Sequence, residues 1–161
     1  MLVKIETLSG LRVVGLEARC VSILSPRRQP NSVIPDLWHR FVDRRSEIAG
    51  AVAGRDFGLC RMLPAGAGTS PDEFLYLAGA ESGPGKVPDG MIAVDVPPGR
   101  YARFLHLGPI SQLGETMHAI HEEWLPSSGH RRRDPPDLEV YGTKFKGDAA
   151  DSELEICVPV E

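Results

Sequence analysis

Glu139 and Tyr141 stand two residues apart in the segment Asp137-Leu138-Glu139-Val140-Tyr141-Gly142-Thr143. In an extended strand, that spacing puts a carboxylate and a phenol on one face and Leu138 and Val140 on the other. If the polar face is solvent surface, Glu139 is an ordinary exposed acid. If it lines a cleft, the acid needs a cation or hydrogen bonds. A cleft acid can neutralise a bound cation. Aromatic side chains from other segments can join it: Trp38, Tyr76, Phe104 and Trp124. Phe104 and His106 share one face of their own strand. Aromatic walls around one carboxylate make a receptor for flat lipophilic cations.

Other chemical templates fail on inspection. Gly79 to Lys86 is glycine-rich, but Val87 follows the lysine where a phosphate-binding loop needs Ser or Thr. There is no G-x-S-x-G nucleophile elbow. His118 and His121 fall on one helix face, yet no third ligand is placed, so they read as a solvated face and no metal is expected. The run His130-Arg131-Arg132-Arg133 reads as a solvated basic turn. Cys20, Cys60 and Cys157 are scattered, with no C-x-x-C pair, and read as small buried hydrophobes.

The elements that must carry these residues follow from periodicity. Residues 2–8 and 11–20 alternate as strands around the Ser9-Gly10 turn. Ile34, Leu37, Trp38, Phe41, Val42 and Ile48 recur at helical spacing, which predicts a helix over about 34–49 capped by Asn31 or Ser32. Residues 56–63, 73–81, 91–96 and 100–107 read as strands. A second helix over about 111–124 carries Ile110, Leu113, Met117, Ile120 and Trp124 on its apolar stripe, with Pro126 and Gly129 closing it. Strands at 137–143 and 152–160 end the chain. Each half reads strand, helix, strand, strand, and Asp56-Phe57-Gly58-Leu59-Cys60 aligns with Asp137-Leu138-Glu139-Val140-Tyr141. The expected fold is therefore α+β: a duplicated βαββ with a pseudo-two-fold, antiparallel sheets, two main helices and a central ligand cleft. One domain spans 1–161, with internal repeats at about 11–81 and 99–160.

Composition limits the function. A 161-residue chain with 42% hydrophobic and 25% charged residues fits one folded domain. Its net charge of −4 gives no expectation of direct nucleic-acid binding. No apolar run approaches the ~20 residues of a membrane span, and no signal peptide is evident, so a cytoplasmic protein is expected.

The chain resembles the GyrI-like small-molecule-binding domain, the effector-binding domain of AraC-type and MerR-type bacterial transcription activators. The resemblance rests on Ile34 to Phe41, Phe74 to Glu81, Pro97 to Ile110, Glu115-Thr116, Glu123 to Gly129 and Asp137 to Tyr141. It implies that Glu139 matches the acid at the base of the family's ligand pocket. It further implies that Tyr141, Trp38, Phe104 and Trp124 match positions near that pocket. The activators carry a helix-turn-helix region before this domain, whereas here the first strand starts at once, so a stand-alone module is expected.

The leading expectation is a binding protein, a receptor for amphipathic, cationic aromatic molecules, with no cofactor. Its ligand-binding set is Glu139, Tyr141, Trp38, Tyr76, Phe104, His106 and Trp124, and it is compatible with a separate regulatory partner protein. The resemblance also implies an alternative, since some stand-alone GyrI-like proteins hydrolyse cyclopropane-containing DNA-alkylating natural products: a hydrolase in which Glu139 orients or deprotonates water and Tyr141 polarises the substrate carbonyl. Another is a gyrase-inhibitor-like protein with an acidic docking surface.

Overall fold

The computed structural model describes residues 2–27, 33–64, 70–134 and 136–161. Its strands are β1 (Leu2–Leu8), β2 (Leu11–Val21), β3 (Arg55–Arg61), β4 (Glu73–Glu81), β5 (Ile92–Val96), β6 (Gly99–Leu107), β7 (Asp137–Gly142) and β8 (Glu153–Pro159). Helix α1 (Val33–Arg44) lies between β2 and β3, and α2 (Leu113–His118) opens a longer helical stretch between β6 and β7. The fold is α+β with the expected duplication. Instead of separate sheets, all eight strands join one antiparallel sheet in the order β1-β6-β8-β7-β3-β4-β2-β5.

The strand order shows the two-fold directly. The first βαββ unit contributes β2-β4-β3 and the second β6-β8-β7, meeting at β3 and β7. Two short turns tie opposite ends of this sheet. Ser9-Gly10 links β1 to β2, and Pro97-Pro98 links β5 to β6. The sheet must curl for those turns to close. Gly10 sits at the crossing, where an added Cβ would lie 3.0 Å from the Val96 carbonyl oxygen and 3.2 Å from Pro98.

The alternation of each strand then sorts side chains between two faces. Inside the curl, Val13, Phe57, Leu59, Leu77, Leu138 and Cys157 form one apolar cluster. On the outer face, Leu37 and Phe41 of α1 pack against β2 and β4. Leu113 and Ile120 pack against Phe104, Leu154 and Ile156 of β6 and β8. The central strands β3 and β7 lie between the two helical halves, which is where a cleft opens.

The helices differ from their sequence patterns at both ends. α1 stops at Arg44 and gives way to a 3-10 turn, Arg45–Glu47. Arg44 ties that turn by bonding Glu47 and the Asp89 carbonyl. Ile48 is still buried, from the extended residue that follows. The expected caps Asn31 and Ser32 lie outside the described residues. The second helical stretch does not end before Pro126. It widens into a π-helical turn, Ala119–Trp124, and closes as the short α3 (Leu125–Ser127). The widening lies just before Pro126, whose missing N–H breaks the regular hydrogen-bond ladder there. His118 and His121 consequently part company. His118 stays in solvent beside Glu123, while His121 is half-buried beside Asp137.

The basic run is exposed at Arg131 and Arg132 and partly buried at Arg133. Arg132 bonds Asp137, and Arg133 lies over the Tyr101 ring while bonding the carbonyls of Val160 and Arg100. Cys20 and Cys157 are buried, Cys60 is partly buried, and all three are free thiols.

Candidate functional site

The cleft between the two helical halves has a volume of about 710 Å³. Its walls come from both halves: Ile34 and Pro35 of α1, Phe74 of β4, and Leu113, Met117 and His121 of the second helical stretch. Tyr76, Asp137 and Glu139 supply its polar floor. The helix-facing side of β7 is therefore the side that carries Asp137, Glu139 and Tyr141, and Leu138 and Val140 turn into the curl.

Glu139 is 8% exposed. Its Oε2 accepts hydrogen bonds from both Tyr76 and Tyr141, each at 2.6 Å. The two phenol oxygens are 3.4 Å apart. Trp38 Nε1 donates to the Tyr76 hydroxyl at 3.0 Å, and its ring leans on Tyr141 with centroids 4.7 Å apart. A phenol has one proton to donate. With both donated to Oε2, neither phenol keeps one for a second acceptor. Among the described residues Oε1 accepts nothing, and no Lys, Arg or His forms a salt bridge with Glu139. Among the described residues the buried side-chain polar atoms without a partner are Arg61 Nε, Tyr101 Oη and Arg103 Nε, and Glu139 itself lines the cleft.

Burial dominates the electrostatics. It pushes the Glu139 carboxyl above its ordinary value, the two phenols pull it back, and Asp137 adds to the rise. Burial and then the Glu139 charge hold the Tyr76 and Tyr141 phenols well above theirs. Burial also raises Asp137, against the lowering influence of Arg132 and His121. Arg132 bonds Asp137 at 2.6 Å, and His121 Nε2 lies 3.7 Å from it. The Cys60 thiol beside the floor is pushed well above its ordinary range by burial, with Glu139 adding to it, so it is a poor nucleophile.

The structure brings Glu139, Tyr76, Tyr141 and Trp38 together. Tyr76 and Glu139 line the cleft, while Trp38 and Tyr141 stand behind them as a hydrogen-bonded support whose rings meet at a tilt of 56°. Phe104 and Trp124 meet edge to face at 4.9 Å inside the second helical half, and neither lines the cleft. His106 is buried, with Nε2 donating to the Pro109 carbonyl at 2.9 Å and Nδ1 meeting the Thr116 hydroxyl at 2.7 Å. That pins β6 to the helix that follows. Sequence reasoning missed Asp137, although it shares the alternation of Glu139 and Tyr141. It also missed His121, Arg132 and the aliphatic wall. Among the described residues no group of three or more His, Cys, Asp or Glu could hold a metal ion, and no helix is long and apolar enough to cross a membrane.

A family model described as the GyrI-like small molecule binding domain matches residues 1–161. The chain belongs to this family. It is 34% identical over 167 residues to the transcriptional regulator BrlR of Pseudomonas aeruginosa, which covers 97% of this chain and 60% of BrlR. The chain thus spans about three fifths of that relative's length. Among solved structures, SAV2435 bound to tetraphenylphosphonium superposes with a TM-score of 0.72 at 17% identity, over 98% of this chain and 93% of that one. The EcmrR C-terminal domain superposes with a TM-score of 0.67 at 18% identity, over 98% and 96%. At these identities the two structures speak for the fold alone.

Proposed function

We propose that this GyrI-like domain is an effector-binding module for lipophilic aromatic cations, with Glu139 as the counter-charge. The observation that carries the reading is the setting of Glu139: a buried carboxyl on the floor of a cleft, fixed by two phenols, with no cationic side chain among the described residues paired to it. Leaving such a charge unpaired is costly. A bound cation offsets that cost, and a neutral ligand of the same shape does not. The cleft wall suits the rest of the molecule, since Ile34, Leu113 and Met117 offer aliphatic burial and Phe74 and Tyr76 offer ring faces. A preformed site of this kind supports micromolar affinity, about −8 kcal/mol.

The donor arrangement favours binding over hydrolysis. In the hydrolytic alternative Tyr141 must polarise a substrate carbonyl, yet its proton is already given to Glu139. The natural setting is a regulator whose DNA-contacting part lies in another segment or another protein.

Thermal unfolding tests the reading. Tetraphenylphosphonium is the probe, and triphenylphosphine oxide is its neutral counterpart. A ligand at 100 times its Kd stabilises the native state by about 2.7 kcal/mol, and the midpoint rises accordingly. The cation is expected to raise the midpoint and the oxide to leave it unchanged. Equal shifts from both would remove the charge-reading role.

A further inference from the structure

The internal duplication places one residue opposite its own counterpart. Gly58 aligns with Glu139 in the repeat, and in the sheet Gly58 of β3 pairs directly with Glu139 of β7. The pseudo-two-fold therefore passes through this pair. One half supplies a carboxylate at the axis and the other supplies no side chain at all. Two acids at the same pair would set like charges directly opposite each other.

The space left by the missing side chain is occupied. A Cβ built on Gly58 would lie 2.2 Å from the Tyr76 hydroxyl oxygen, 2.8 Å from its Cζ and 2.7 Å from Glu139 Oε2. Gly58 is not among the glycines with positive φ, so its backbone does not require glycine. The demand is for room. The atoms in that room are the two partners of the Tyr76–Glu139 hydrogen bond. Trp38, which donates to Tyr76, is held through the same contact.

We propose that Gly58 is a positioning residue of the cation site: the bare backbone there is what lets the Tyr76 hydroxyl reach Glu139 and fix the single carboxylate on the two-fold. This rests on the cation-binding reading of the cleft, but it makes a claim about the unliganded protein as well. Gly58→Ala displaces the phenol from the carboxylate. Glu139 then keeps one donor instead of two and holds its proton to higher pH.

A double-substitution cycle with Tyr76→Leu tests this, because leucine does not reach the room beside Gly58. Two quantities are followed in wild type, Gly58→Ala, Tyr76→Leu and Gly58→Ala/Tyr76→Leu. The first is the titration midpoint of the Glu139 carboxyl carbon by NMR in the unliganded protein. The second is tetraphenylphosphonium affinity as a function of pH. Gly58→Ala is expected to raise the Glu139 midpoint and weaken the cation about tenfold at pH 7, equivalent to 1.4 kcal/mol. In the Tyr76→Leu background the same change is expected to have a clearly smaller effect on both quantities, because only the 2.7 Å contact with Glu139 Oε2 remains. Equal effects in both backgrounds would overturn the proposal, as would an unshifted Glu139 midpoint in Gly58→Ala. If Gly58→Ala does not fold, the double variant decides: a folded double variant supports the proposal and an unfolded one contradicts it. If wild type fails to bind the cation while Gly58→Ala still shifts the Glu139 midpoint, the positioning role stands and the cation reading falls.

Discussion

Each phenol beside Glu139 acts on the acid by an identifiable increment. Tyr141 and Tyr76 favour the ionised carboxylate, against the larger upward push of burial on its pKa. Tyr141→Phe removes one donor, worth about 0.5–1.5 kcal/mol. The expected result is several-fold weaker cation binding at neutral pH and a pH profile displaced upward, read by calorimetry across pH. The sign for the unliganded fold is the reverse of the usual carboxylate case. Glu139 has a raised pKa in the folded protein, so the native state binds its proton to higher pH than the unfolded chain does. Its contribution to stability therefore falls as pH rises from about 4.5 through the raised folded value, and is flat above it. Asp137 acts in the same direction. Glu139→Gln removes the Glu139 share of that slope, so the unliganded variant is expected to be at least as stable as wild type at pH 7, by urea unfolding at several pH values. Cation binding depends on the ionised form and is lost as pH falls through the same raised value.

The elements divide the aromatic residues into two jobs. Trp38 rides on α1 and braces Tyr76 and Tyr141. Phe104 on β6 and Trp124 on the π-helical turn pack against each other beneath the second helical stretch. Phe104→Leu is expected to lower stability by about 1 kcal/mol. It should leave tetraphenylphosphonium affinity within about twofold, as expected for a side chain that does not reach the cleft. Denaturant titration and calorimetry on one preparation check both. This division was only partly legible from residue spacing. Alternation in Asp137 to Tyr141 located the polar face, and helical periodicity located Leu37, Phe41, Leu113 and Ile120 on the buried stripes. Which aromatics reach the cleft depends on where each helix sits across the sheet, and no local period encodes that. The π turn was hidden for a related reason. Ala119 to Trp124 has an ordinary helical pattern, and it is Pro126, beyond it, that disturbs the ladder.

At the scale of the whole molecule, the cleft exists because the sheet is curled and shared. Its two central strands come from different halves, and the turns at Ser9-Gly10 and Pro97-Pro98 hold the ends of the sheet together. Gly10→Ala presses on Val96 and Pro98 at that crossing and is expected to cost about 1–3 kcal/mol. Because both halves share one sheet, they are expected to lose structure together. Fluorescence of Trp38 alone and Trp124 alone should report the same denaturation midpoint, and two separate midpoints would contradict a single cooperative unit. The central claim is that the buried Glu139 carboxylate on the two-fold reads ligand charge. Isothermal titration of tetraphenylphosphonium into wild type and Glu139→Gln tests it most directly. Removing one partner of a desolvated charge pair costs upward of ~2 kcal/mol, so the variant should bind about 30-fold more weakly or not at all. Equal affinity in the two proteins would contradict the account.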